Sequence, residues 1–136
     1  MAKAKKVKQL SFSMSDRPGL LTEITASVSD AKVNITAICA YAMDGNAFFM
    51  IITESNARAK KAISKLNISP DEEDVIAVDM PNTVGSLQKI AKKIAKRISD
   101  AGININYMYG TTGTGKSSVC VFSTLDDKKA IRVINK

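Results

Sequence analysis

The sequence predicts an α+β fold of two tandem β-α-β-β-α units, each an antiparallel sheet with its helices on one face. Three observations lead there. The run Ser29-Asp30-Ala31-Lys32-Val33-Asn34-Ile35 returns as Ser99-Asp100-Ala101-Gly102-Ile103-Asn104-Ile105. Upstream of each copy a glycine opens a stripe of apolar residues spaced by three and four. The stripe is Leu21, Ile24, Val28 and Ala31 after Gly19, and Leu87, Ile90, Ile94, Ile98 and Ala101 after Gly85. That spacing puts the apolar groups on one helical face. Downstream, apolar, β-branched and aromatic runs flank a glycine-containing turn, which in the first copy is Asp44-Gly45, a strong hairpin signal. One supersecondary unit is therefore repeated at the period of a small domain.

The first copy opens with a strand over 7–15, where Val7, Leu10, Phe12 and Met14 alternate imperfectly. Asp16-Arg17-Pro18-Gly19 is the turn into a helix, with Asp16 placed to cap it and Pro18 in its first turn. That helix runs to about Lys32, followed by strands over 33–43 and 47–53. A second amphipathic helix over 57–66 is capped by Ser55 or Asn56. Residues 67–74 form a linker, and its acidic run Asp71-Glu72-Glu73-Asp74 reads as a solvated turn rather than a cation site. The second copy has a strand over 75–80, a turn over 81–85, a helix to Ala101 and a strand over 105–109. A glycine-rich turn, a strand over 117–124 and a helix over 127–134 complete it. This order is the split βαβ pattern of ferredoxin-like folds. The domains expected are 1–68, with a basic tail over 1–6, and 69–136.

Composition excludes several classes of function. The 136 residues suit one ordinary domain or two very small ones, and 45% hydrophobic content supports a core. There is no histidine, which removes the commonest general base and metal ligand and excludes Ser-His-Asp and Cys-His sites. Cys39 and Cys120 lie far apart in apolar surroundings, with no C-x-x-C spacing, and read as buried reduced thiols. With no paired-carboxylate motif either, no catalytic residue, metal or cofactor is expected. The net charge of +7 gathers in Lys3, Lys5, Lys6 and Lys8 and in Lys89, Lys92, Lys93, Lys96 and Arg97. No aromatic interleaving accompanies these clusters, so they read as a solvated tail and a solvated helix face, with neither nucleic acid nor membrane as partner. No apolar run reaches the roughly 20 residues of a membrane span. The opening MAKAKKVKQL lacks the apolar stretch of a signal peptide, so a cytoplasmic location is expected.

The two glycine-opened helices, each leading into A-[K/G]-[V/I]-N-I, make residues 7–135 similar to two tandem ACT domains, and the chain resembles standalone two-ACT regulatory proteins. The resemblance implies a regulatory module without catalytic activity that binds a small ligand, usually an amino acid. It also implies a homodimer and a regulated enzyme or transporter as partner. In the family, ligands sit between the first-strand-to-helix loop of one domain and the second strand of a neighbour. Carried over, this assigns Asp16, Arg17, Pro18, Gly19, Leu20 and Leu21, with Asn34 and Ile35, in the first copy. In the second it assigns Asn82, Thr83, Val84, Gly85, Ser86 and Leu87, with Asn104 and Ile105. The residue chemistry suits this. A helix start offers unpaired N–H groups to a carboxylate, glycine allows close approach, and Asp16 and Asn34 can receive an ammonium.

Two departures separate the copies. Lys32 stands where the second copy has Gly102, and a left-handed lysine costs about 1 kcal/mol, which sets its turn apart. The second helix carries four more residues between Gly85 and Ser99 than the first does between Gly19 and Ser29. The two sites are therefore not expected to be equivalent, and the first is the closer match.

Gly110-Thr111-Thr112-Gly113-Thr114-Gly115-Lys116-Ser117 satisfies the phosphate-cradling pattern G-x-x-x-x-G-K-[ST]. Such a loop must lead into a helix, whereas the residues after Lys116 carry strand propensity. The segment also occupies the place of the Asp44-Gly45 hairpin. The preferred reading is a hairpin loop whose glycines permit positive φ. A ligand-free assembly or dimerisation module, and a nucleotide-binding protein using 110–117, are the alternatives to amino-acid sensing.

Overall fold

The computed structural model describes residues 3–111 and 115–136, with Ile90, Ala91 and Thr111 described by their backbone. Its strands are β1 (Lys3–Ser15), β2 (Ile35–Met43), β3 (Asn46–Thr53), β4 (Asp71–Pro81), β5 (Ile105–Thr111) and β6 (Ser117–Thr124). Its helices are α1 (Leu20–Asp30), α2 (Asn56–Ser64), α3 (Ser86–Lys89), α4 (Lys96–Asp100) and α5 (Asp127–Asn135), and a π-helical segment, Ile90–Ala95, joins α3 to α4. The fold is α+β, as predicted. Two compact units form, Lys8–Glu73 and Asp74–Lys136, the second completed by Met1–Val7. Residues 3–7 thus pack with the second unit.

In the first unit the strands run β2-β3-β1, with both pairings antiparallel. Alternation sends Leu10, Phe12, Phe49 and Ile51 to one face, where they meet Leu20, Ile24 and Val28 of α1 and Ala59 and Ile63 of α2. Phe12 and Phe49 stack with ring centroids 5.2 Å apart. Asp44 and Gly45 both take positive φ, 52° and 79°. That is the turn whose twist matches a two-residue hairpin.

In the second unit the order is β1-β4-β6-β5, and only the N-terminal end of β1 takes part. Here the sequence expectation is corrected. The basic tail assigned to 1–6 is strand from Lys3 onward. Ala4 is buried with Ile76, Val78 and Phe122, while Lys3, Lys5 and Lys6 stay exposed. Asn135 clamps the segment: its Oδ1 accepts from the Ala4 N–H at 2.7 Å and its Nδ2 donates to the Ala4 carbonyl at 2.9 Å. The edge of β4 is thereby paired, which removes a template for aggregation.

Other expectations also shift. The acidic run is strand, not turn: Asp71 opens β4, Glu73 accepts from Gln9 Nε2 and Ser11 Oγ, and Asp74 faces Lys6 at 3.7 Å. Leu20, not Leu21, joins the core, because α1 begins one residue after a left-handed Gly19 and the i, i+4, i+8 row of Leu20, Ile24 and Val28 faces the sheet. Asp16 does not cap this helix; Gly19 does, without a side-chain bond. Ser55 stands at the N-cap of α2, also without a side-chain bond. Cys39 is half-buried, whereas Cys120 is buried.

The repeat runs deeper than the sequence shows. Lys32 and Gly102 take the same left-handed turn, φ 61° and 74°, so the lysine does not set its turn apart. Asn56 Oδ1 accepts from the N–H and hydroxyl of Thr53, as Asp127 Oδ1 does from Thr124. Arg58 donates to the Ala31 carbonyl, and Lys129 to its counterpart on Ala101. The four additional residues coincide with the π-helical segment. Four residues over-rotate an α-helix by roughly 40°. Wider π turns compensate in the opposite sense, and Ile94 and Ile98 remain in the core.

Candidate functional site

Each unit has a cleft where its first strand turns into its first helix. In the first unit the cleft is about 310 Å³ and is lined by Asp16, Arg17, Gly19, Leu20, Leu21 and Thr22 from the turn and α1. Ala40, Tyr41 and Ala42 of β2 and Ala47 and Phe49 of β3 form its other wall. Gly19 stands at φ 84°, a conformation that favours glycine, with nothing within 4 Å of where a Cβ would lie. Asp16 donates its N–H to the Gly45 carbonyl, which ties the turn to the β2–β3 hairpin. Arg17 is held by Glu23 at 2.6 Å, with both side chains well exposed. Leu21, more than half exposed, lies open at the rim. Pro18 belongs to the same turn and is exposed.

Asn34 and Ile35 do not reach this cleft. Ile35 pairs with Thr53 at one end of β3, while the turn follows the pairing of Ser15 with Asn46 at the other. At about 3.4 Å per residue the separation is on the order of 20 Å. The Asn34 backbone is occupied instead: its N–H donates to Glu54 Oε1 and its carbonyl accepts from the Glu54 N–H.

The second unit differs in character. Its pocket is about 430 Å³ and is lined by Asn82, Thr83, Ser86 and Leu87 on one side and by Met80, Met108, Gly110, Ser118 and Cys120 on the other. Gly85 repeats the left-handed turn at φ 86°, and Val84 is fully exposed. Ser86 is buried, donating its hydroxyl to the Pro81 carbonyl at 2.6 Å and meeting the Thr83 hydroxyl at 2.8 Å. Asn82 donates its side-chain N–H to the Gly115 carbonyl and its backbone N–H to that of Lys116. Burial pushes the Cys120 thiol above its ordinary pKa, so it stays protonated. Asn104 and Ile105 again lie at the far end of the sheet, where the Asn104 carbonyl accepts from the Leu125 N–H. Sequence reasoning missed Tyr41, Met80, Met108 and Cys120 as lining residues. Their period-two placement on the strands marked them only as sheet.

The phosphate-loop pattern falls partly on residues 112–114, which lie outside the described residues. Its described flanks are strands: β5 ends at Thr111, β6 begins at Ser117, and the two pair antiparallel. The required helix after Lys116 is replaced by β6. Gly110 is a strand residue opposite Cys120, and neither it nor Gly115 takes positive φ. Among the described residues no cluster of histidine, cysteine, aspartate or glutamate could hold a metal ion.

The model of a family described as an ACT domain pair matches residues 5–136. Among solved structures the chain is similar to protein BT0572 from Bacteroides thetaiotaomicron, with a TM-score of 0.82, 26% identity, and 97% of this chain and 88% of that chain covered. It shares its fold with the regulatory subunit of aspartate kinase from Thermus thermophilus in its ligand-free form, with a TM-score of 0.67, 12% identity, and 98% and 94% covered. It also shares it with Escherichia coli aspartokinase III in complex with lysine and aspartate, with a TM-score of 0.59, 11% identity, and 98% and 32% covered. No curated protein matches the sequence.

Proposed function

Because the chain belongs to the ACT domain pair family, we propose that it is a cytoplasmic regulatory protein that senses a free amino acid, acts through a partner enzyme or transporter, and has no catalytic activity of its own. In this reading the sequence copies 1–68 and 69–136 each supply one ACT domain. The observation that carries it is the first-unit cleft, which brings a carboxylate, a guanidinium and the start of an eleven-residue helix around one opening. First-turn amides and the helix dipole favour a ligand carboxylate. Asp16 receives the ammonium, and Leu21 and Tyr41 flank the side chain. Asn34 and Ile35 take part only if another copy supplies them. Exposed Ile38, Tyr41 and Met43 on the edge strand β2 suit such an association, so the proposal includes a homodimer. The exposed lysines of 89–96 are read as solvated, with no nucleic acid bound. No helix among the described residues is long and apolar enough to cross a membrane.

The test is a thermal shift with each free amino acid. At about 100 times its dissociation constant a ligand adds about 2.7 kcal/mol, a rise in melting temperature on the order of 5 °C. Gly19→Asp and Gly19→Asn carry similar backbone strain but differ in charge. The aspartate variant should lose the first-unit response and the asparagine variant should retain most of it. If no amino acid shifts the curve, the assembly reading replaces this one.

A further inference from the structure

The two clefts occupy equivalent positions, yet the second is the larger, about 430 Å³ against about 310 Å³, and has the less charged lining. In the first unit Phe49 lies between Phe12 of β1 and Ala40 of β2 in the strand register, with Leu20 directly after the turn glycine. In the second unit the same positions hold Cys120, between Val78 and Gly110, with Ser86 after the glycine. Each of the four substitutions is from larger to smaller. The first unit fills part of this level with stacked rings, and the second, with smaller residues there, opens a pocket of about 430 Å³. That volume lies within the range of small-molecule sites. Buried Met80 and Cys120 line it together with the more exposed Met108, two thioethers and a thiol that adapt to irregular apolar shapes. No carboxylate, ammonium or guanidinium lines it, whereas Asp16 and Arg17 line the first cleft. The polar lining comes mainly from the turn, through Asn82, Thr83 and Ser86, and Ser86 and Asn82 spend donors on backbone carbonyls. Leu87, two-thirds exposed, stands at the rim.

We propose that the pocket of the second unit is a ligand site separate from the first-unit cleft, and that it takes the side chain of an aliphatic or thioether amino acid, of the size of leucine, isoleucine, valine or methionine. Met80, Met108 and Cys120 contact that side chain, and Gly110 and Ser86 make room for it. This inference rests on the amino-acid-sensing reading and adds a second site and the class of ligand it takes.

The experiment adds bulk to the second unit at two positions where the first unit has the larger residue. Gly110→Ala places a methyl 3.4 Å from Cys120 Sγ, ordinary contact, at a position without positive φ, so the variant should fold. Ser86→Val is the second variant. Leucine, isoleucine, valine or methionine should raise the melting temperature of the parent protein, and charged amino acids should not. Both variants should bind the same ligand at least about tenfold more weakly, because the added methyl groups occupy space the ligand side chain needs. The ligand should also slow the reaction of Cys120 with an uncharged alkylating reagent at alkaline pH, where a thiolate fraction forms, while leaving Cys39 unaffected. If a charged amino acid binds and the variants leave its affinity unchanged, sensing stands and this pocket's role is overturned. If no amino acid binds but 3-methyl-1-butanol protects Cys120, the apolar pocket stands and amino-acid sensing fails. If neither protects Cys120, the pocket proposal fails.

Discussion

Lys32 sits at φ 61°, at the end of α1, with its N–H donating to the Ser29 carbonyl and the next N–H, of Val33, to that of Val28. The Gly102 and Ile103 N–H groups make the same pair of bonds, to the Ser99 and Ile98 carbonyls. These bonds satisfy carbonyls that the helix end would leave open. The left-handed conformation costs a residue with a Cβ about 1–2 kcal/mol, and glycine in its place adds about 0.5–1 kcal/mol of unfolded-state entropy. Strain is the larger effect, so Lys32→Gly should raise stability by up to about 1 kcal/mol in urea denaturation. The neighbouring Leu20 shows why single residues were hard to place from sequence. Both Leu20 and Leu21 lie on a helical spacing from Ile24 and Val28. Only the left-handed Gly19, which fixes where the helix starts, decides between them. The same one-residue choice makes Ser86 the counterpart of Leu20, and on that equivalence the contrast between the two clefts rests.

At the scale of elements, the two closing helices look alike in sequence but begin differently. Asp126 caps α5, its Oδ1 accepting from the Lys129 N–H at 3.1 Å, while Ser55 leaves α2 without a side-chain cap. Asp126→Ala should cost about 1 kcal/mol, and Ser55→Ala should stay within about 0.5 kcal/mol, both measured by chemical denaturation. The elements were legible because each carries a strong period: three and four in the helices, the Asp-Gly turn between β2 and β3. The N-terminal end of β1 was not. Three exposed lysines surround the single buried Ala4, so charge masked a strand whose partner, β4, lies about seventy residues on. The site was legible as a turn and illegible as a pocket. Asn34 and Ile35 follow the helix closely in sequence, yet the length of β2 carries them to the other end of the sheet.

For the molecule as a whole, the second unit is assembled from both ends of the described chain. Asn135→Ala removes both bonds to Ala4 and leaves its N–H without this part-buried partner, a loss of about 1–3 kcal/mol. Hydrogen exchange at the Ala4 amide should accelerate accordingly, while exchange in β2 and β3 should stay unchanged. Thermal melting should report a lower transition for the second unit.

That clamp also sets an order of events during synthesis. Ala4 leaves the ribosome before its partner Asn135, which follows 131 residues later. The first unit, continuous from Lys8 to Glu73, has everything it needs while the rest of the chain is still being made. The second must keep its opening strand in reserve until α5 has emerged. Closing so long a loop is entropically slow, though each doubling of length adds only about 0.6 kcal/mol. Until β4 emerges, that opening strand has no partner. The lysines that concealed the strand from sequence reading have work to do in this interval, because charge on an unpaired strand discourages it from joining a neighbouring chain.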